Sequence, residues 1–265
     1  MENGTNNNKL IQLIKAYSCG YCENNLKHMY KNAPNKKVRF SARVLRIKHK
    51  KFGNILIDTG YSHRVFKSGI VSVLYSLFNP TTFESKNHIL QQLKKDHVRL
   101  KDINTVILTH LHPDHIGGVL DLNSLRFVVS EGSKELFSQH SFKDLVFTSL
   151  INESLPNRFD VVKLKDQSPL EGFMGVDYLG DGSIWLIELE GHAKGQMGVY
   201  IEEAKLLYVA DALWSLDYID YDMRIIPSLI QNNYKKYVQN IEKLKALEGI
   251  QIVTTHGNED IYYGQ

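Results

Sequence analysis

Apolar residues fall along this chain in two rhythms, short strand-like runs and a few helical stripes. Runs at residues 38–47, 54–58, 105–108, 126–130 and 160–164 are bounded by polar or glycine-containing stretches and predict strands. Residues 176–179 and 183–189, joined through Gly180-Asp181-Gly182, predict a hairpin. Residues 196–202 and 205–210 predict another, and 251–254 closes the set. The clearest helical stripe spans 228–247, with Ile230, Tyr234, Tyr237, Ile241, Leu244 and Leu247 at steps of three and four. Ser228 suits its N-cap and Gly249 its stop. A second amphipathic helix is expected at 88–97, with Ile89, Leu90 and Leu93 inward. Residues 61–77 and 139–150 read as helical or mixed segments. Strands in two groups with helices between them predict a sheet-on-sheet core with helices outside, in one domain over 1–265. Residues 1–37 are expected as an N-terminal extension packed on it.

Composition narrows the class without deciding it. A chain of 265 residues with 43% hydrophobic and 23% charged content is ordinary for a globular protein. A net charge of +3 is too weak to argue for nucleic acid. The Lys48-His49-Lys50-Lys51 cluster reads as a solvated hairpin turn. No apolar run approaches the ~18 residues of a membrane span. Residues 1–8 are polar with no apolar stretch behind them, so a cytoplasmic setting is expected. The two cysteines, Cys19 and Cys22, read as reduced thiols in an N-terminal turn. A redox pair, or a second metal site helped by His28, are the alternatives.

The chemistry is concentrated where strand-like runs end. After Val106-Ile107-Leu108 comes Thr109-His110-Leu111-His112-Pro113-Asp114-His115, the H-x-H-x-D-H arrangement of a two-metal hydrolytic site. In extended chain, residues two apart point the same way, so His110 and His112 can grip one ion. Asp114 and His115, past the strand, can be aimed at a second. Three more candidate ligands, His192, Asp211 and His256, each close an apolar run in the same way. Rigid strands with ligands on the loops at their ends are how distant residues are brought to one point.

With these stretches, together with Ile57-Asp58-Thr59-Gly60, Gly191-His192-Ala193-Lys194-Gly195 and Thr255-His256-Gly257, the chain resembles the metallo-β-lactamase superfamily. Within it, the chain looks most like the N-acyl homoserine lactone lactonase branch. The resemblance implies a four-layer αββα sandwich of two mixed sheets. It also implies two divalent ions, zinc first, with manganese or iron accepted by the same donors. His110, His112 and His192 would hold one ion, Asp114, His115 and His256 the other, and Asp211 would bridge them. Asp114 would also relay a proton. Asp58 would orient ligand histidines rather than bind metal. The branch usually carries tyrosine three residues after the bridging aspartate; here that residue is Trp214. Trp214, Tyr218 and the neighbouring Tyr221 are expected at the wall of a substrate pocket, and Lys194 could meet an anionic group of the substrate. The implied activity is hydrolysis of a small carboxylic ester or lactone. A glyoxalase II-like thioesterase, a phosphodiesterase and a metal-binding sensor without turnover are the alternatives. The implied partner is a small molecule, with no nucleic acid and no membrane.

Overall fold

The computed structural model describes residues 9–261, 263 and 264, so the polar segment 1–8 lies outside it. Seven strands form the first sheet: β1 (Ile11–Asn25), β2 (Lys37–His49), β3 (Gly53–Ile57), β4 (Thr81–Thr82), β5 (Ile103–Ile107), β6 (Arg126–Ser130) and β7 (Asp160–Val162), in the order β4-β1-β2-β3-β5-β6-β7. Six form the second: β8 (Asp166–Gln167), β9 (Met174–Asp177), β10 (Ile184–Glu188), β11 (Met197–Ile201), β12 (Leu206–Ala210) and β13 (Gln251–Thr254), in the order β13-β12-β11-β10-β9-β8. Both sheets are mixed. β3, β5, β6 and β7 run parallel, as do β12 and β13, while the other pairings are antiparallel.

Alternation along the strands assigns every face. Leu45, Ile47, Ile55, Ile57, Ile107 and Val128 of the first sheet meet Ile184, Leu186, Val199, Leu206 and Tyr208 of the second in one cluster between the sheets. The intervening residues Val44, Leu56, Val106, Phe127 and Val129 face outward, onto a layer that includes Ile89, Leu93 and Leu136 from helices Ile89–Lys95 and Glu131–Ser138. On the far side Ile187, Leu189, Leu207 and Val209 pack with Ile241 and Leu244 of helix Tyr234–Lys245. The result is the four-layer αββα sandwich. Each fully buried aliphatic side chain contributes about 1.5–3 kcal/mol. The core therefore anchors the strand ends rigidly.

Three expectations need correction. The N-terminal region is not merely packed on the sheet, because β1 pairs with β2 from Ile11 to Asn25 and is one of its strands. Cys19 and Cys22 therefore lie in β1 rather than in a turn, both free and buried. The stripe at 228–247 is two helices, Ile225–Leu229 and Tyr234–Lys245, and the second is capped by Asn233, whose side chain accepts from Lys236 N. The Lys48–Lys51 cluster does sit at the β2–β3 hairpin, although His49 is buried.

Candidate metal centre

Each ligand candidate leaves the core at a strand end, turned there by a specific local device. β5 ends at Ile107, and Leu108 extends its ladder by donating to Val128 O at 2.9 Å. His110 and His112 follow, His112 in extended backbone. Pro113 then opens a one-turn helix, Pro113–Ile116, with His112 as its N-cap. Proline favours that first helical position because it lacks the N–H that would go unpaired there. The abrupt change from strand to helix swings Asp114 and His115 to a different face from the first two histidines. His192 follows Gly191, whose φ of +138° suits glycine; a Cβ there would lie 2.5 Å from Tyr237 N. Asp211 follows Ala210, held at φ +48° beside a register shift between β12 and β13. A left-handed non-glycine residue is a strained arrangement that persists where its surroundings over-determine it.

The seven residues converge as two clusters of potential ligand atoms. His110, His112 and His192 form one, and Asp114, His115, Asp211 and His256 the other, with the atoms of each lying within 4.8 Å of one another. The clusters adjoin: Asp211 Oδ2 is 2.9 Å from His256 Nε2 and 3.5 Å from His192 Nε2. The remaining ring nitrogens identify the tautomers. His115 Nδ1 lies 2.7 Å from Asp58 Oδ2, His192 Nδ1 2.8 Å from Gln231 Oε1, and His256 Nδ1 2.6 Å from Ser41 O. These partners accept, so each Nδ1 donates. The Thr109 hydroxyl gives its proton to Asp58 and stands 3.2 Å from His110 Nδ1, which it therefore accepts. The Nε2 atoms of these four histidines are left facing inward. His192 Nε2 faces His112 Nδ1 at 2.9 Å. His110 Nε2 is buried without a hydrogen-bond partner, and His115 Nε2 faces Asp211 Oδ1 at 3.2 Å. Crowding buried imidazole nitrogens and carboxylate oxygens together is costly unless protons or a metal cation lie between them. The donor set fits divalent metal.

Electrostatics divide the clusters further. Burial and the neighbouring imidazoles push His110 and His112 well below the usual histidine range, and burial lowers His192 as well. Burial would also lower His115 and His256, but it is outweighed. The charges of Asp58, Asp211 and Asp114 raise His115, and those of Asp211 and Asp114 raise His256. One cluster is neutral and all-imidazole; the other is rich in carboxylate.

Asp58, fully buried, accepts from Thr109 N at 2.8 Å and from His115, and so fixes the His115 ring. Trp214 sets its ring at a centroid distance of 6.1 Å from His192, and Phe40, unmarked in the sequence, stands 5.9 Å from His256. Tyr218 lies behind them, against Tyr30 and Phe40. The Lys194 ammonium is paired with Glu135 at 2.6 Å, both side chains being well exposed. His63 bonds Ser85 at the surface. Gln231 and Ser41 had no sequence signature. Gln231 falls at the break between two helices, and Ser41 acts through its backbone carbonyl.

An αββα sandwich with two adjoining clusters of potential metal ligands at its strand ends is the class that this structure defines. The chain belongs to the metallo-beta-lactamase superfamily, whose family model matches residues 47–256. A probable metallo-hydrolase of Mycobacterium tuberculosis is 22% identical over 222 residues, 78% of this chain and 68% of that protein. The cytochrome P450 monooxygenase mpaDE of Penicillium brevicompactum is 26% identical over 160 residues, 54% of this chain. The chain covers only 19% of that relative's length. A solved N-acyl homoserine lactone hydrolase, holding its product N-hexanoyl-L-homoserine at the catalytic metal center, superposes with a TM-score of 0.71. Identity there is 17% over 94% of each chain, so the likeness is one of fold.

Proposed function

We propose that the centre holds two divalent ions, zinc by default, and that the chain hydrolyses a small carboxylic ester or lactone. His110, His112 and His192 would hold one ion. Asp114, His115 and His256 would hold the other, with Asp211 shared between them. The observation that carries this reading is convergence: four imidazoles have Nδ1 tied to a partner, so that Nε2 turns inward, and the potential ligand atoms of the seven residues gather in two groups, each within 4.8 Å.

Bound there, such ions supply an acidified water as nucleophile and a Lewis acid for a carbonyl oxygen. The protein's own groups do the rest. Asp114 Oδ2 lies 3.7 Å from His115 Nε2 and 3.8 Å from His256 Nε2, placing a carboxylate at the heart of the site. It takes the proton of the attacking water and returns it to the leaving oxygen. Asp58, Thr109, Gln231 and Ser41 keep the imidazoles aimed. Phe40 and Trp214 cover one side with apolar surface, which excludes water and suits the hydrocarbon part of a substrate. Trp214 carries no phenolic hydroxyl, so it donates no acidic proton. The lactone preference is supported by the fold shared with the lactone hydrolase.

The test is elemental analysis followed by turnover of acyl homoserine lactones, nitrocefin, S-lactoylglutathione and bis(p-nitrophenyl) phosphate by one preparation. Lactone turnover by protein carrying two ions is expected. Full metal loading with no turnover of any substrate would contradict the reading, and turnover of the phosphodiester alone would redirect it. Asp211→Ala is expected to lose metal and turnover together.

A further inference from the structure

We infer that Arg43 and Glu259 position His256, and that their ion pair sets the affinity of the cluster formed by Asp114, His115, Asp211 and His256. The inference rests on the two-ion reading above. Arg43 Nη1 lies 3.0 Å from Glu259 Oε2, with side chains only 9% and 13% exposed. An ion pair withdrawn from water adds little stability, because desolvating both charges offsets their attraction. What the pair holds in place therefore matters more than its own energy.

It holds the loop that carries His256. Arg43 Nη2 donates to the Gly257 carbonyl at 2.7 Å. Glu259 folds back on Thr254, accepting from its hydroxyl at 2.9 Å and its backbone N–H at 3.3 Å. Thr254 Oγ1 in turn accepts from Gly257 N at 2.9 Å. The segment is thus closed on both sides of the histidine. Two residues before Arg43 on β2, the Ser41 carbonyl receives His256 Nδ1 at 2.6 Å. One strand therefore fixes the direction of the ring through Ser41, and the path of the backbone beneath it through Arg43. The clasp has no slack, since a Cβ on Gly257 would lie 2.0 Å from Glu259 Oε1 and 2.5 Å from Thr254 Oγ1. His110 and His192 are oriented by Thr109 and Gln231 instead, so loosening this loop should affect one cluster only.

The test is titration of the ion-free full chain with zinc against a competing chelator, for wild type, Glu259→Gln and Arg43→Lys. Glu259→Gln keeps the shape and removes the charge, while Arg43→Lys keeps the charge and loses the two-pronged grip. In both variants one zinc should weaken by about 10- to 100-fold, the range for residues that orient ligands, while the other stays within about twofold. Should Glu259→Gln fail to fold, Arg43→Lys carries the test. Two unchanged constants, or two equally weakened ones, would overturn the positioning role. A wild-type chain that binds fewer than two zinc ions would overturn the two-ion reading itself.

Discussion

Asp58→Asn exchanges one carboxylate oxygen for an amide group at a fully buried residue. The backbone should tolerate it, because asparagine, like aspartate, adopts the left-handed conformation seen there, φ +64°. The side chain cannot satisfy what it now faces. Asp58 accepts from Thr109 N at 2.8 Å, from the Thr109 hydroxyl at 2.9 Å and from His115 Nδ1 at 2.7 Å. An amide offers one accepting oxygen. If that oxygen stays with Thr109, the NH2 group meets the His115 N–H. The ring must then leave a donor unpaired, at about 1–3 kcal/mol, or move its proton to Nε2 and lose the lone pair meant for an ion. A charged hydrogen bond of about 1.5–3 kcal/mol is lost either way. At about 1.4 kcal/mol per tenfold, that corresponds to roughly 10- to 100-fold weaker ion binding. The assay is chelator competition with the ion-free variant, alongside thermal unfolding to show that it is folded. A folded Asp58→Asn protein binding both ions with wild-type affinity would refute the orienting role.

Burial pushes the Cys22 thiol up to about 12, helped by the charges of Asp114 and Asp211, and burial raises Cys19 further. Native protein at pH 8 should therefore resist a thiol reagent until denatured, and rapid labelling of either thiol would contradict this. The carboxylates raise His115 and His256 against the lowering effect of burial, so protons compete with an ion for these rings. Ion binding should release protons, and affinity should fall as pH is lowered through the raised values. Calorimetry in buffers of different ionisation enthalpy reads this directly, and zero proton release at pH 7 would count against it. Lys194→Ala removes only an exposed pairing with Glu135, worth about 0–1 kcal/mol, so turnover should remain within about twofold of wild type. A large rise in KM would restore the lysine to the substrate site.

Most of the sandwich was legible because alternation survives in strands such as β2 and β12, whose two faces meet different apolar layers. β1 escaped because Lys15, Ser18 and Glu23-Asn24-Asn25 interrupt its pattern, and its register slips between Ser18 and Tyr21. The false single helix had a related cause. The apolar stripe runs on through residue 230, but Gln231 turns inward to His192 while Ile230 is left exposed. Periodicity cannot detect a polar partner waiting across the fold. The ligand candidates were legible because histidine and aspartate at strand ends carry specific chemistry. Apart from Asp58, their orienting partners were not: Ser41 contributes only a carbonyl, and Thr109 and Gln231 are ordinary polar residues until the fold places them. The left-handed Ala210 beneath Asp211 has no sequence signature either.

The central claim is that five imidazoles and two carboxylates hold a pair of ions. Anomalous diffraction from crystals of the metal-loaded chain tests it most directly. Two peaks are expected, one among His110, His112 and His192, the other among Asp114, His115 and His256, with Asp211 touching both. A single peak, or peaks elsewhere on the surface, would contradict it.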